Sequence, residues 1–406
     1  MSGEAVAITG LGAVSGFGRG VEALWAGVVA GRTSIGDFRR FDHSAYRTHV
    51  AAEVPAEATA PAGRHFGAPS LADRFALDAA AEALGGAGLP ARLDEIAAGL
   101  FFGGSTGGMF ESEQFFDRLT REPRRSPVSW LASQQPCGPG DAVARAHGVT
   151  GPVESIATAC ASATIALGSA LEALRSGEID VALAGGADAL CRLTFGGFNS
   201  LRAVDALPCR PFRRERLGMS IGEGAAVLVL ESRAHAERRG ARPLAWLAGA
   251  GASCDAHHMT APDPGGLGIT LAVEAALADG GIAADAIDFV NLHGTGTPAN
   301  DAAEAKMIAR LFGARAARLP ATSTKACVGH FLGAAGAVEA LVTVLCLERG
   351  LVHPTPGEGT VDLELGVDLV VGAPRALPAA RRALSTNLAF GGANGACVLL
   401  HPEAIR

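Results

Sequence analysis

Cys160 stands in the run Ile156-Ala157-Thr158-Ala159-Cys160-Ala161-Ser162, at the seam between an apolar strand-like stretch and a helix-like stretch of small residues. Two histidines follow far downstream. His293 lies in Leu292-His293-Gly294-Thr295-Gly296-Thr297-Pro298, and His330 closes Lys325-Ala326-Cys327-Val328-Gly329-His330. Taken alone, a thiol at a helix start is as readily a small buried hydrophobe as a nucleophile. A helix N-terminus would also stabilise a thiolate there through its partial positive charge and free N–H groups. The histidines tip the balance. His293 ends an apolar run and opens a Gly/Thr loop, a poor place for a packing residue. His330 also follows a strand and a glycine. The combination points to thiolate nucleophilic catalysis assisted by imidazole.

The elements that must bring these residues together repeat. In the first half, strands are expected over 5–9, 98–103, 153–158, 181–185 and 225–230, with helices over 20–29, 71–87 and 161–176. In the second half, strands are expected over 243–251, 289–292, 321–324, 383–387 and 396–401, with helices over 269–278, 302–311 and 333–348. Continuous apolar runs alternating with helical patterns predict an α/β fold whose sheet is covered on both faces. The boundary falls near 236–241, which gives a half carrying the cysteine (1–238) and a half carrying both histidines (239–406). Cys160 and His330 then precede corresponding helices, and a duplicated unit would bring both helix N-termini to one central site.

Composition narrows the classes. With 49% hydrophobic and 18% charged residues in 406, the chain can bury a large core, which excludes disorder. Aromatics are only 5% while glycines number 54, so the core is packed with small aliphatic groups at close backbone approach. A net charge of −7 with no long basic run leaves no nucleic-acid footprint. The positive cluster from Arg210 to Arg216 reads as a solvated surface loop. Met1-Ser2-Gly3-Glu4 runs straight into a strand without the features of a signal peptide. Glu172 and Glu339 interrupt the longest apolar stretches, against a membrane span. The eight cysteines show no CxxC pair and no metal-ligand spacing, so reduced thiols in a cytoplasmic compartment are expected. Cys137, Cys191, Cys209, Cys254, Cys346 and Cys397 read as small buried hydrophobes.

With these residues in place, the chain resembles the β-ketoacyl-acyl-carrier-protein synthases, of the synthase II type within the thiolase-like superfamily. The resemblance rests on Thr-Ala-Cys-Ala, His-Gly-Thr-Gly-Thr-Pro and Lys-(x4)-His-(x2)-Gly-Ala-Ala-Gly in that order. It runs from Thr9-Gly10-Leu11-Gly12 to Asn387-Leu388-Ala389-Phe390-Gly391-Gly392-Ala393-Asn394, and Asp255 to Pro262 strengthens it. It implies thiolase-like duplicated βαβαβαββ halves in a five-layer α-β-α-β-α architecture. It implies a decarboxylative Claisen condensation of a malonyl-carrier-protein thioester with a Cys-bound acyl chain, in type II fatty-acid or polyketide synthesis.

By the same resemblance Cys160 is the nucleophile and His293 and His330 complete a Cys-His-His site. The backbone N–H groups of Cys160 and Phe390 form an oxyanion hole, and Phe390 gates the acyl pocket. Lys325 and Glu304 form an ion pair ordering the site, with Asp301 nearby. Thr260, Thr295 and Thr297 meet the phosphopantetheine arm, while Thr106 and Phe198 belong with the substrate pocket. No metal or redox cofactor is implied, because substrates ride on an acyl carrier protein. The partners are that carrier and a second subunit, either an identical copy or a ketosynthase-like chain-length factor. The intact Cys-His-His set points to an active subunit. A thiolase-like transfer on coenzyme A is disfavoured, since His330 occupies the place of a second cysteine.

Several positions depart from the family pattern. Arg213 and Leu217 stand where Asp is usual, and the loop from Ser200 to Cys209 is shorter. Ala389 replaces the Gly before Phe390, which is expected to restrict the gate. Thr106 replaces a bulky aliphatic, which predicts an extended pocket or one suited to an unsaturated chain.

Overall fold

The computed structural model describes residues 3–58 and 70–405. Met1 and Ser2, which open the stretch read for a leader, lie outside the described residues. The first half contributes strands β1 (Val6–Ser15), β2 (Ala98–Gly103), β3 (Val153–Ile156), β4 (Val181–Asp188) and β5 (Gly224–Glu231). Its main helices are α1 (Leu71–Ala87), α2 (Met109–Arg121) and α3 (Ser162–Arg175). The second half contributes β6 (Ala245–Cys254), β7 (Phe289–Asn291), β8 (Pro320–Thr322), β9 (Arg382–Leu388) and β10 (Ala393–Leu400). Its helices are α4 (Leu267–Gly280), α5 (Pro298–Phe312) and α6 (Ala335–Arg349). Each half therefore runs β-α-β-α-β-α-β-β, as expected.

Strand order repeats as well. The first half reads β1-β5-β4-β2-β3 and the second β6-β10-β9-β7-β8. In both, the first two pairings are antiparallel and the last two parallel. The two sheets join through an antiparallel pairing of β1 with β6 at Val6↔Leu247, Ala7↔Trp246 and Ile8↔Ala245.

Three hydrophobic cores separate five layers. The central one holds α3 and α6, which touch each other, against strands of both halves. A second lies under α1, and a third under α4 and α5. This is the α-β-α-β-α arrangement of the thiolase-like fold. Glycine and alanine make the layers close. A Cβ on Gly10 or Gly12 of β1 would stand 2.1 Å from Ala83 O or 1.9 Å from Ala79 O of α1. On Gly249 or Gly251 of β6 it would stand 2.2 Å from Ala276 O or Ala272 O of α4. Both halves thus use the same two-glycine seat for a helix rich in alanine. The start of α1 is set by a capping box in which Ser70 and Asp73 exchange hydrogen bonds, and it stops at Gly88 in the left-handed region.

Four readings change. Residues 109–121, 138–147 and 192–200 are helical, where no helix is expected from sequence. In α2 the pattern is masked by exposed apolar residues such as Phe116. His330 does not follow a strand directly, because a one-turn helix, Lys325–Val328, intervenes. Cys254 is exposed and Cys137 half-buried, unlike the other cysteines read as core. The Arg210–Arg216 segment is solvated only at Arg214 and Glu215. Arg213 is buried, Arg210 pairs with Asp205 at 3.1 Å and Arg216 with Asp362 at 2.7 Å. Among the described residues no helix is long and apolar enough to cross a membrane.

Candidate active site

Two turns deliver the chemistry. After β3 the chain passes Ala157 and Thr158 and then turns through Ala159, Cys160 and Ala161 into α3. Ala159 sits at φ +50, a conformation costly for a residue with a Cβ. That kink sets Cys160 at the mouth of the helix, buried at the bottom of a cavity. After β8 a longer connection carries Lys325 and His330 and then turns through Leu332, Gly333 and Ala334 into α6. The Cys160 sulfur and one ring nitrogen from each of His293 and His330 lie within 4.8 Å of one another. The two imidazole rings meet edge-on, with centroids 5.2 Å apart.

The partners of the histidines decide their tautomers. His330 Nδ1 accepts the Leu332 backbone N–H at 3.0 Å. His293 Nδ1 faces the Lys325 ammonium at 2.9 Å and the Asn387 amide at 3.1 Å, both donors. Each Nδ1 is therefore an acceptor, and each proton must sit on Nε2. Burial, reinforced by the Lys325 charge, holds both rings well below the ordinary histidine range, so both are neutral. His330 Nε2 is buried and has no hydrogen-bond partner among the described residues. The trio thus presents two N–H donors and a thiol, rather than three lone pairs for a metal.

The thiol differs from its expectation. Burial pushes Cys160 up to about 11, outweighing the Lys325 charge and the backbone N–H groups of Phe390 and Cys160, which favour the anion. The resting group is a thiol, and the helix start offers donors to charge that develops on reaction.

The expected ion pair is also corrected. Lys325 pairs with Glu339 of α6, not with Glu304. Glu304, on α5, lies beneath the His293 loop and accepts the backbone N–H of His293 and of Gly294, each at 2.7 Å. Asn300 and Thr386 complete its shell at 3.0 and 2.9 Å. Burial raises Glu304 to about 7. Asn387 joins the two sides, donating to Glu339 at 2.7 Å while Thr164 of α3 donates to its carbonyl at 2.5 Å. Asn387 and Glu339 are not among the site residues that the sequence singles out. For Glu339 the available signal is a lone charge within the apolar body of α6, which by itself reads only as an interruption.

A cavity of about 270 Å³ leads to Cys160, His293 and His330. Thr260, Thr295, Thr297 and Phe390 line it, joined by Leu217 and Arg202. Thr106, Phe198, Lys325, Glu304 and Asp301 do not reach its wall. Phe198 instead packs its ring on Phe390, centroids 5.5 Å apart. Thr106 is buried, its hydroxyl bound to Asp188 at 2.8 Å. Asp301 holds Phe212 N–H at 2.8 Å and Gly296 N–H at 3.2 Å, fixing the loop between the two threonines. Ala389 has φ −119, ordinary extended backbone, so its Cβ strains nothing in this conformation. The positive φ falls on Gly391 and Gly392.

Comparisons with known proteins agree with this geometry. Residues 3–236 match the family model described as beta-ketoacyl synthase, N-terminal domain, and residues 244–357 match its C-terminal domain. A 3-oxoacyl-[acyl-carrier-protein] synthase 2 of Coxiella burnetii is 34% identical across 98% of this chain and 99% of its own. The chloroplastic synthase II of Arabidopsis thaliana is also 34% identical, across 97% of this chain and 75% of its own. Among solved structures, the ishigamide ketosynthase/chain length factor superposes with TM-score 0.91 at 33% identity, covering 98% of this chain and all of that one. Matches to both halves, in order and at full length, join a site whose thiol and two Nε2 donors converge: the chain belongs to the β-ketoacyl synthase family.

Proposed function

We propose that this protein is a 3-oxoacyl-acyl-carrier-protein synthase that extends a Cys160-bound acyl chain by decarboxylative condensation with a malonyl-carrier thioester. The observation that carries this reading is the pair of Nε2–H groups beside the thiol, both fixed by donors to the Nδ1 atoms. In the first step Cys160 sulfur attacks the acyl thioester, and the proton it loses ends on the departing pantetheine thiol. Backbone N–H groups of Cys160 and Phe390 receive the developing oxyanion. In the second step malonyl thioester loses CO2, and the enolate oxygen is held by His293 and His330. The enolate carbon attacks the Cys160 thioester, and the released thiolate takes a proton from solvent. Such chemistry needs no metal or redox cofactor when two fixed donors meet the enolate in a dry cavity.

Thr260, Thr295 and Thr297 line the route of the phosphopantetheine arm, and Phe390 with Phe198 forms the gate between that route and the acyl pocket. Lys325, Glu304 and Asp301 act by holding the histidine loops. The division into 1–238 and 239–406 belongs to this reading. So does a place in the cytoplasm, where thiols stay reduced. The partners are an acyl carrier protein and a second ketosynthase-like subunit. Likeness to ketosynthase/chain length factor structures favours service as the active half of a heterodimer in a type II polyketide (polyene-like) system. The alternative is a homodimer in fatty-acid synthesis.

The test is mass spectrometry after incubation with a panel of acyl-carrier proteins. An acyl adduct on Cys160, lost on addition of malonyl-carrier with release of a 3-oxoacyl product, is expected. Elongation by a Cys160→Ala protein would overturn the assignment.

A further inference from the structure

Asp188 ends β4, is fully buried, and faces no cation at ion-pair distance among the described residues. Its oxygens accept from two segments far apart in sequence. Ser105 N–H reaches them at 3.0 and 3.1 Å, Thr106 N–H at 2.7 Å and Thr106 Oγ1 at 2.8 Å. From the other side comes the Gly333 N–H at 2.7 Å. A carboxylate kept in the interior without a counter-ion needs such donors, and it holds them in turn.

Around this hub backbones touch with no side chain between them. A Cβ on Gly333 would stand 2.5 Å from the Gly104 carbonyl carbon. On Gly103 it would stand 2.4 Å from Ala163 N, at the start of α3. On Gly186 it would stand 2.6 Å from Gly103 O and 2.8 Å from Ala334 Cα. The segment from Gly103 to Thr106 is thus wedged between the helix start that carries Cys160 and the turn that follows His330. That turn also supplies the N–H that sets the His330 tautomer.

We propose that Asp188 is a positioning residue for the condensation: it clamps the His330 turn onto the Gly103–Thr106 loop and so fixes His330 relative to Cys160. The proposal rests on the ketosynthase reading and assigns Asp188 to one half of that reaction. Acyl transfer to Cys160 uses backbone donors and does not need His330. Malonyl decarboxylation does need it.

Asp188→Asn keeps the size but turns an amide toward N–H donors, which loosens the clamp. In the full-length variant, CO2 release from malonyl-carrier should fall about 100-fold, as for a donor misplaced by roughly 1 Å. Its KM should stay put, and acylation of Cys160, read by mass spectrometry, should stay near the wild-type rate. Should that variant not fold, Thr106→Val removes a single donor to Asp188 and should give a smaller loss confined to the same step. Equal losses in both steps, or none in decarboxylation, would overturn the clamp. A wild-type protein that neither takes an acyl chain nor releases CO2 would instead overturn the ketosynthase reading beneath it.

Discussion

The turns into α3 and α6 are the same device used for two purposes. Ala159 and Leu332 both take positive φ, +50 and +52. Ala161 N–H bonds Thr158 O in one turn, and Ala334 N–H bonds Phe331 O in the other. By this register Cys160 in the first half corresponds to Gly333 in the second. The first turn puts a side chain at the helix mouth. The second has none there, and Gly333 lets the backbone close on Gly104 while its neighbour Leu332 orients His330. The other difference is length: two residues (157–158) precede the first turn, but nine (323–331) precede the second. The longer connection carries Lys325 and His330. A duplicated scaffold has thus become asymmetric, with a nucleophile on one side and donors on the other.

The largest effect should come from removing the side chain that distinguishes the first turn. Cys160→Ala should abolish chain transfer yet retain CO2 release from malonyl-carrier, measured with labelled substrate; loss of both would mean the two turns are not separable. Next, His330→Ala removes one enolate donor and should slow decarboxylation by roughly 100- to 1000-fold, while Cys160 still acylates. A third comparison uses pH. With the thiol pushed up to about 11, the thiolate fraction grows about tenfold per unit below that value. Iodoacetamide labelling of Cys160 should therefore climb steadily from neutral pH through 9; a plateau already at neutral pH would mean that the helix start holds a resting thiolate.

The smallest effect concerns the strained residues themselves. Ala159→Gly relieves a left-handed alanine and should stabilise by about 1 kcal/mol. Leu332→Gly relieves the same strain but deletes a buried leucine, at a typical cost of roughly 2–5 kcal/mol, so its Tm should fall. Equal shifts in the two melting curves would erase the distinction.

Much of the site is legible in the sequence. Cys160, His293 and His330 stand at element ends with chemically suggestive neighbours, and such ends are local properties. The repeated β-α-β-α-β-α-β-β rhythm is visible because interior strands are apolar throughout and helices alternate. The pairing of Lys325 is not legible. One buried carboxylate, Glu304, precedes it in the chain and another, Glu339, follows it, and only the packing of α6 beside the His293 loop selects Glu339. Arg213 misleads for a related reason. A run of arginines looks solvated, but the 355–362 segment folds over it, with Thr355 O accepting from its guanidinium at 3.2 Å.

By itself the sequence singled out the thiol and two imidazoles that the fold brings together, which elements carry them and that the unit is doubled, because these depend on residue types and short-range periodicity. The tertiary structure alone decided the protonation pattern of the site. The tautomers of His293 and His330 follow from donors supplied by Lys325, Asn387 and Leu332, and the high thiol pKa of Cys160 follows from burial between two halves. Desolvation and most of these partners come from contacts between segments distant in the chain, such as Asn387 with His293 and Asp188 with Gly333, and no local pattern encodes them.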